Sequence, residues 1–177
     1  MKKFSPWQQT YTGKVIEYGN VDLDQIDIVD IAHSLSMQCR YGGHLEHFYS
    51  VAEHSWLVSH RVSKENAFWG LMHDAAEAYI TDIPTPIKDY VPLIRPLEDY
   101  LLRRIAIKFN LWGLEIPKEV KNADLRLLMT EKHQFFGNVE PRDWEVSVKK
   151  YDGMIIPCYT PKIAERAFMQ RFRELYG

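Results

Sequence analysis

Residues 71–88 read LMHDAAEAYITDIPTPIK, and no other stretch constrains the fold as tightly. The segment has the apolar content of a buried helix, yet it carries His73, Asp74, Glu77 and Asp82, meets Pro84 and Pro86, and closes on Lys88. Burying an unpaired charge is expensive, so ionisable groups inside a core pair with one another or bind a metal. The elements packed around this segment must therefore supply its partners.

Those elements read as helices. Residues 8–18, QQTYTGKVIEY, alternate around a Thr-Gly turn and predict a short β-hairpin. The period then changes. Asp27 caps an expected helix through about Arg40, with Ile28, Ile31, Ala32 and Leu35 on one face, and Gly42-Gly43 stops it. Ser50-Val51-Ala52-Glu53 fits a capping box, which opens a helix from Val51 to about Arg61. Ser63 caps the next, which runs to about Ile80, and Pro84 and Pro86 are expected to forbid helix after it. Residues 93–110 place Leu97, Leu101, Ile105 and Phe109 at helical spacing. Pro117 opens a helix to about Phe136, and Thr160-Pro161 starts the last one, ending near Tyr176. Residues 137–160 read as irregular, with a strand expected at 153–158. The sum is an all-α bundle with a small N-terminal β-hairpin.

Composition narrows the function. At 177 residues the chain suits one domain, 1–177, with a full core. A net charge of -2 with interspersed signs gives no basic track, which argues against a nucleic-acid polymer as partner. No run approaches the roughly 18 apolar residues of a membrane helix, and MKKFSPWQQTYTG lacks the apolar stretch of a signal peptide. Cys39 and Cys158 make no disulfide framework, so a reducing cytoplasm is the expected compartment. Ten Tyr and five Trp suit packing in clefts or contacts between subunits.

The candidate site residues are spread over four helices: Arg40, His54, the trio His73, Asp74 and Glu77, and Asp124. His73 and Glu77 are four apart and Asp74 and Glu77 three apart, which places them on one side of a helix. Imidazole with carboxylate suits Zn, Mn, Fe or Co, and two His with two Asp would leave positions open, as a catalytic metal requires. Taken singly, each side chain has an ordinary structural role. A buried His54 is commonly a satisfied core histidine, and Lys88 an ordinary surface lysine.

The joint pattern carries more. VAEHS upstream, GLMHDAAEA, the continuation EAYITDIPTPIK and the isolated Asp of NADL resemble the HD-domain metal-dependent phosphohydrolases. The resemblance is closest to the small 5'-deoxynucleotidase branch and its phage or prophage relatives. It is clearest over residues 29–88 and weaker to about 135. It implies an HD-domain bundle whose metal ligands are His54, His73, Asp74 and Asp124, holding a divalent ion (Co²⁺, Mn²⁺, Zn²⁺ or Mg²⁺). It implies Glu77 as the residue handling protons, Asp82 as a second acid, and Arg40 and Lys88 as phosphate grips. The loop after Arg40 departs from the deoxynucleotidase pattern; read from its own residues, Tyr41 is a candidate to stack on a base or sugar, and His44, with His47 three residues on, is a candidate to touch phosphate or a second ion. The implied activity is removal of the 5'-phosphate of deoxynucleoside monophosphates. The alternatives are a dNTP triphosphohydrolase using the same site and a non-catalytic nucleotide-binding protein. A homo-oligomer is expected from the relatives.

Overall fold

The computed structural model of the protein describes residues 6–137, 142, 144 and 146–177. Among the described residues the fold is mainly α-helical with one small antiparallel hairpin, as the periodicity predicts. Strands β1 (Trp7–Gln9) and β2 (Val15–Glu17) pair in the register Trp7 to Glu17. Only Ile16 of β2 is buried, so the hairpin lays one side chain into the core. Its turn is held by buried Asp30, which accepts from the Thr12 backbone N–H and hydroxyl at 2.6 and 2.8 Å.

Helix α1 (Ile28–Met37) starts where expected, with Asp27 accepting from the Val29 N–H at 2.9 Å. It ends three residues before Arg40. Gln38 and Cys39 turn extended and Cys39 bridges antiparallel to Ser50, so the Arg40 N–H donates to the Tyr49 carbonyl at 2.9 Å. Arg40 thus sits on a short pairing in front of α2 (Val51–Ser59) instead of on a helix end. The tight turn Arg40–Gly43 follows, with Tyr41 at φ 58° and Gly42 at φ 61°.

Helix α2 is the axis of the molecule. It packs against α1, against α3 (Ala67–Met72), against α7 (Lys118–Glu131) and against α8 (Pro161–Tyr176). Eight of its nine residues are buried, the mark of a helix covered on all sides. Half of the expected capping box is present: Ser50 Oγ accepts from the Glu53 N–H at 3.1 Å. The Glu53 carboxylate does not return to its own helix. It accepts from the Tyr159 N–H at 2.7 Å and ties α2 to the segment before α8. Ser63 likewise makes no side-chain cap; its N–H and hydroxyl donate to Glu119 of α7.

The single helix expected over 63–80 is divided. A tight turn at Lys64–Asn66 leads into α3, residues 73–76 wind as turns, and α4 covers Glu77–Ile80. Through this stretch the backbone bonds run from residue i+3 to i, as in Glu77 N–H to Asp74 C=O at 3.0 Å. Three-residue winding eclipses side chains three apart, which brings Asp74 and Glu77 onto one face, close enough for their charges to interact.

The two prolines do not exclude helix. Helix α5 (Thr85–Tyr90) begins immediately after Pro84 and holds Pro86 in its first turn, where a missing N–H costs nothing. Helix α6 (Ile94–Lys108) buries Leu101 and Ile105 at the predicted spacing. A wide turn, Lys132–Phe136, extends α7 to the expected end, and α8 runs to Tyr176 as read. The strand expected at 153–158 is absent. Ile156 instead donates to and accepts from the Gln134 side-chain amide at 2.8 and 2.9 Å, so one side chain takes the place of a neighbouring strand. The rest of the 137–160 stretch lies partly outside the described residues.

Candidate metal centre

Two helices must touch closely for the two histidines to meet. Gly70 of α3 packs against α2 so tightly that a Cβ there would lie 2.9 Å from Ser59 Cα and 3.2 Å from Ser59 N. This contact brings the His54 and His73 rings to 5.3 Å between centroids. Both histidines are buried.

Each imidazole has one nitrogen occupied and one aimed inward. His73 Nδ1 is 2.9 Å from the Gly70 carbonyl, which only accepts, so Nδ1 donates and Nε2 is the nitrogen left to serve as a ligand. His54 Nδ1 is 2.6 Å from Glu131 Oε1. The Nε2 atoms of both rings are buried and make no hydrogen bond. Together with Asp124 they form a group whose ligand atoms all lie within 4.8 Å of one another. His54 Nε2 is 3.1 Å from Asp124 Oδ1 without the alignment of a hydrogen bond. The group could hold a metal ion. Buried, unsatisfied ring nitrogens beside a carboxylate have the donor chemistry of such a site.

Asp74 stands at its edge. Its Oδ2 is 3.3 Å from His73 Nε2, 3.7 Å from His54 Nε2 and 3.7 Å from Arg40 Nη1. The side chains of Asp74 and Asp124 are 20% and 37% exposed while His54 and His73 are buried, so the carboxylates form the mouth and the imidazoles the floor.

Above the floor lies a second acid group. Glu77 is buried, with Oε1 accepting from Lys88 Nζ at 3.0 Å and Oε2 without a hydrogen-bond partner. Burial raises its carboxyl well above the usual carboxylate range, and Asp74 and Asp82 raise it further against the opposing pull of Lys88. Burial also raises Asp82, opposed by Arg40. Lys88 is shared: its Nζ also donates to Glu98 Oε1 of α6 at 2.6 Å. Burial disfavours its ammonium, but Glu77 and Glu98 outweigh this and hold it charged.

Sequence reasoning missed Glu131. It is fully buried, seven residues after Asp124 and so two turns along the same face of α7. It accepts from Arg40 Nε and Nη2 at 3.3 and 3.1 Å, from the Tyr41 hydroxyl, from Tyr49 at 2.7 Å and from His54. Burial would raise its pKa, but Arg40 and His54 hold it far below the usual range, so it is a carboxylate that only accepts. His54 therefore donates from Nδ1. Burial and Arg40 push the His54 pKa down, yet Glu131 and Asp124 raise it to about 9, and a field that favours a proton at Nε2 also favours a cation there. The only clue in the sequence was the seven-residue spacing from Asp124.

Gln38 was also missed. Its amide donates to the Glu77 carbonyl at 3.0 Å and accepts from the Asp82 N–H at 2.8 Å, spanning the turn between them. That turn contains Thr81 at φ 73°, ψ 158°, a region adopted almost only by glycine.

The remaining candidates lie apart from the metal group. Tyr41 directs its hydroxyl inward to Glu131 and packs its ring against Phe136 and Trp144. His44 and His47 are exposed on the loop before α2, and among the described residues the metal-capable group is His54, His73 and Asp124 alone.

No protein-family model matches the chain. It is 40% identical over 169 residues to the uncharacterized protein YfdR of Escherichia coli K12, covering 94% of each chain. It is 31% identical over 148 residues, 74% of each chain, to the uncharacterized protein RCAP_rcc00048 of Rhodobacter capsulatus. Identity at that level over nearly the full length places the chain in the family of YfdR.

Proposed function

We propose that the protein is an HD-type, metal-dependent phosphohydrolase that removes the 5'-phosphate of deoxynucleoside monophosphates. The observation that supports this best is the pair of buried, unpartnered Nε2 atoms gathered with an Asp124 oxygen beneath an acid-rich mouth that also holds Arg40 and Lys88. His54, His73 and Asp124 would hold the ion, with Asp74 beside them. A divalent ion there would acidify water toward neutral pH and offset charge on phosphoryl oxygens.

The chain's own groups do the rest. Glu77 Oε2, unpartnered and raised above the carboxylate range, is poised to take a proton at one step and return it at the next. Lys88 fixes its other oxygen, so the proton-bearing atom faces one way. Arg40 Nη1, near Asp74, and the Lys88 ammonium place positive charge where a phosphate would enter. The Gln38 bridge holds Asp82 at the rim as a second acid.

The test is a panel of deoxy- and ribonucleoside mono-, di- and triphosphates, with Co²⁺, Mn²⁺, Mg²⁺ or Zn²⁺ and after chelation. Phosphate release from the deoxymonophosphates, abolished by chelator and restored by a transition ion, is expected. Undiminished hydrolysis in excess chelator would sink the metal reading, and release of triphosphate from dNTPs alone would replace the substrate.

A further inference from the structure

Glu131 makes more contacts than a structural carboxylate needs, and they divide by oxygen. Oε1 accepts from His54 Nδ1 and from the Tyr49 hydroxyl. Oε2 accepts from Arg40 Nε and Nη2 and from the Tyr41 hydroxyl. The donors come from the Arg40 turn, from the residue before the α2 cap, and from α2 itself. We propose that Glu131 is a positioning residue for metal binding: Arg40 locks Oε2, which commits Oε1 to His54 Nδ1 and leaves His54 Nε2 as the ligand atom. This rests on the proposed metal site.

The argument is one of donor counting. Arg40 has no acceptor, so whatever faces it must be an acceptor. Two nitrogens of one guanidinium converge on Oε2 and hold that oxygen in place through charge-assisted bonds. With Oε2 held, Oε1 must point at α2, and an oxygen that only accepts forces the proton of His54 onto Nδ1. Asp124 lies two turns earlier on the same helix and approaches the opposite nitrogen at 3.1 Å. One helix therefore grips the imidazole at both ends. Partners behind metal-binding histidines set tautomer and orientation, and losing them weakens metal binding by about 10–100-fold.

Glu131→Gln tests this with almost no change of shape. The amide offers one acceptor and one donor. Its oxygen must face Arg40, because two donors cannot meet, so its NH₂ turns toward His54 and Tyr49. Tyr49 accommodates this by rotating its hydroxyl. His54 can accept at Nδ1 only by moving its proton to Nε2, which removes the ligand lone pair.

Co²⁺ titrations followed by visible absorption, on wild type, Glu131→Gln and His54→Ala, read the outcome without turnover. The expected result is tight binding by wild type, loss in His54→Ala, and at least tenfold weakening in Glu131→Gln with cooperative unfolding retained. Wild-type affinity in folded Glu131→Gln overturns the role of Glu131 and leaves the metal site standing. Equal binding by wild type and His54→Ala overturns the metal site itself. Should Glu131→Gln fail to fold, the wild type answers directly. With ¹⁵N-labelled histidine and Zn²⁺ bound, two-bond correlations should show His54 ligating through Nε2, with a downfield, slowly exchanging Nδ1 proton. Ligation through Nδ1 overturns the proposal.

Discussion

Gly70→Ala is the smallest change that probes how the two histidines are brought together. The added methyl carbon would sit 2.9 Å from Ser59 Cα and 3.2 Å from both Ser59 N and Val62 Cγ2. Two of these three atoms are backbone of α2, so no rotamer change relieves the clash and the helices must separate. Forced overpacking costs about 1–3 kcal/mol, and contact with backbone belongs at the upper end, about 3. Alanine in place of glycine inside a helix returns about 1 kcal/mol. The net loss is about 2 kcal/mol, which at a urea slope of about 2 kcal/mol per molar lowers the midpoint by about 1 M. Because the same contact sets the 5.3 Å approach of the rings, Co²⁺ affinity should fall with it. Urea unfolding by circular dichroism and a Co²⁺ titration measure the two together. A variant more stable than wild type by the helix-propensity gain alone, with unchanged Co²⁺ binding, would refute the reasoning that a close helix contact builds the site.

On the proposed function, Glu77→Ala should retain Co²⁺ binding yet lose turnover by about 10²–10⁴-fold, the usual contribution of a general acid or base. Asp124→Ala should lose the metal, and metal content by atomic absorption alongside initial rates separates the two roles. Thr81→Gly should stabilise the fold. A threonine at φ 73°, ψ 158° stores about 1–3 kcal/mol of strain, against about 0.5–1 kcal/mol for the extra freedom of glycine. Thermal unfolding tests the gain. On the proposed function, a lowered phosphate-release rate in the same variant would support the strained turn as what holds Asp82 at the rim, and an unstable variant would show that the turn is not strained.

Much of this protein is readable along the chain because it depends on neighbours in sequence. Helical period, Asp27 and Pro161 mark most of the elements, and the hairpin follows from alternation around a glycine turn. The ionisable residues of 71–88 announce a polar site inside a helical core, since such groups need partners. Where local rules failed, a distant group had taken over a local job. Glu119 takes the Ser63 hydroxyl that was expected to cap, Tyr159 captures the Glu53 carboxylate, and Gln134 substitutes for a strand beside Ile156. A cap or a ladder bond is satisfied by any donor or acceptor that tertiary packing delivers, and sequence spacing does not reveal which arrives first. The site divides the same way. His54, His73, Asp74, Glu77 and Asp124 are chemically conspicuous, whereas Glu131 and Gln38 are ordinary polar residues until folding places them. Glu131 lies 77 residues from His54 and 91 from Arg40, and only the packing of α7 across α2 makes one carboxylate the partner of both.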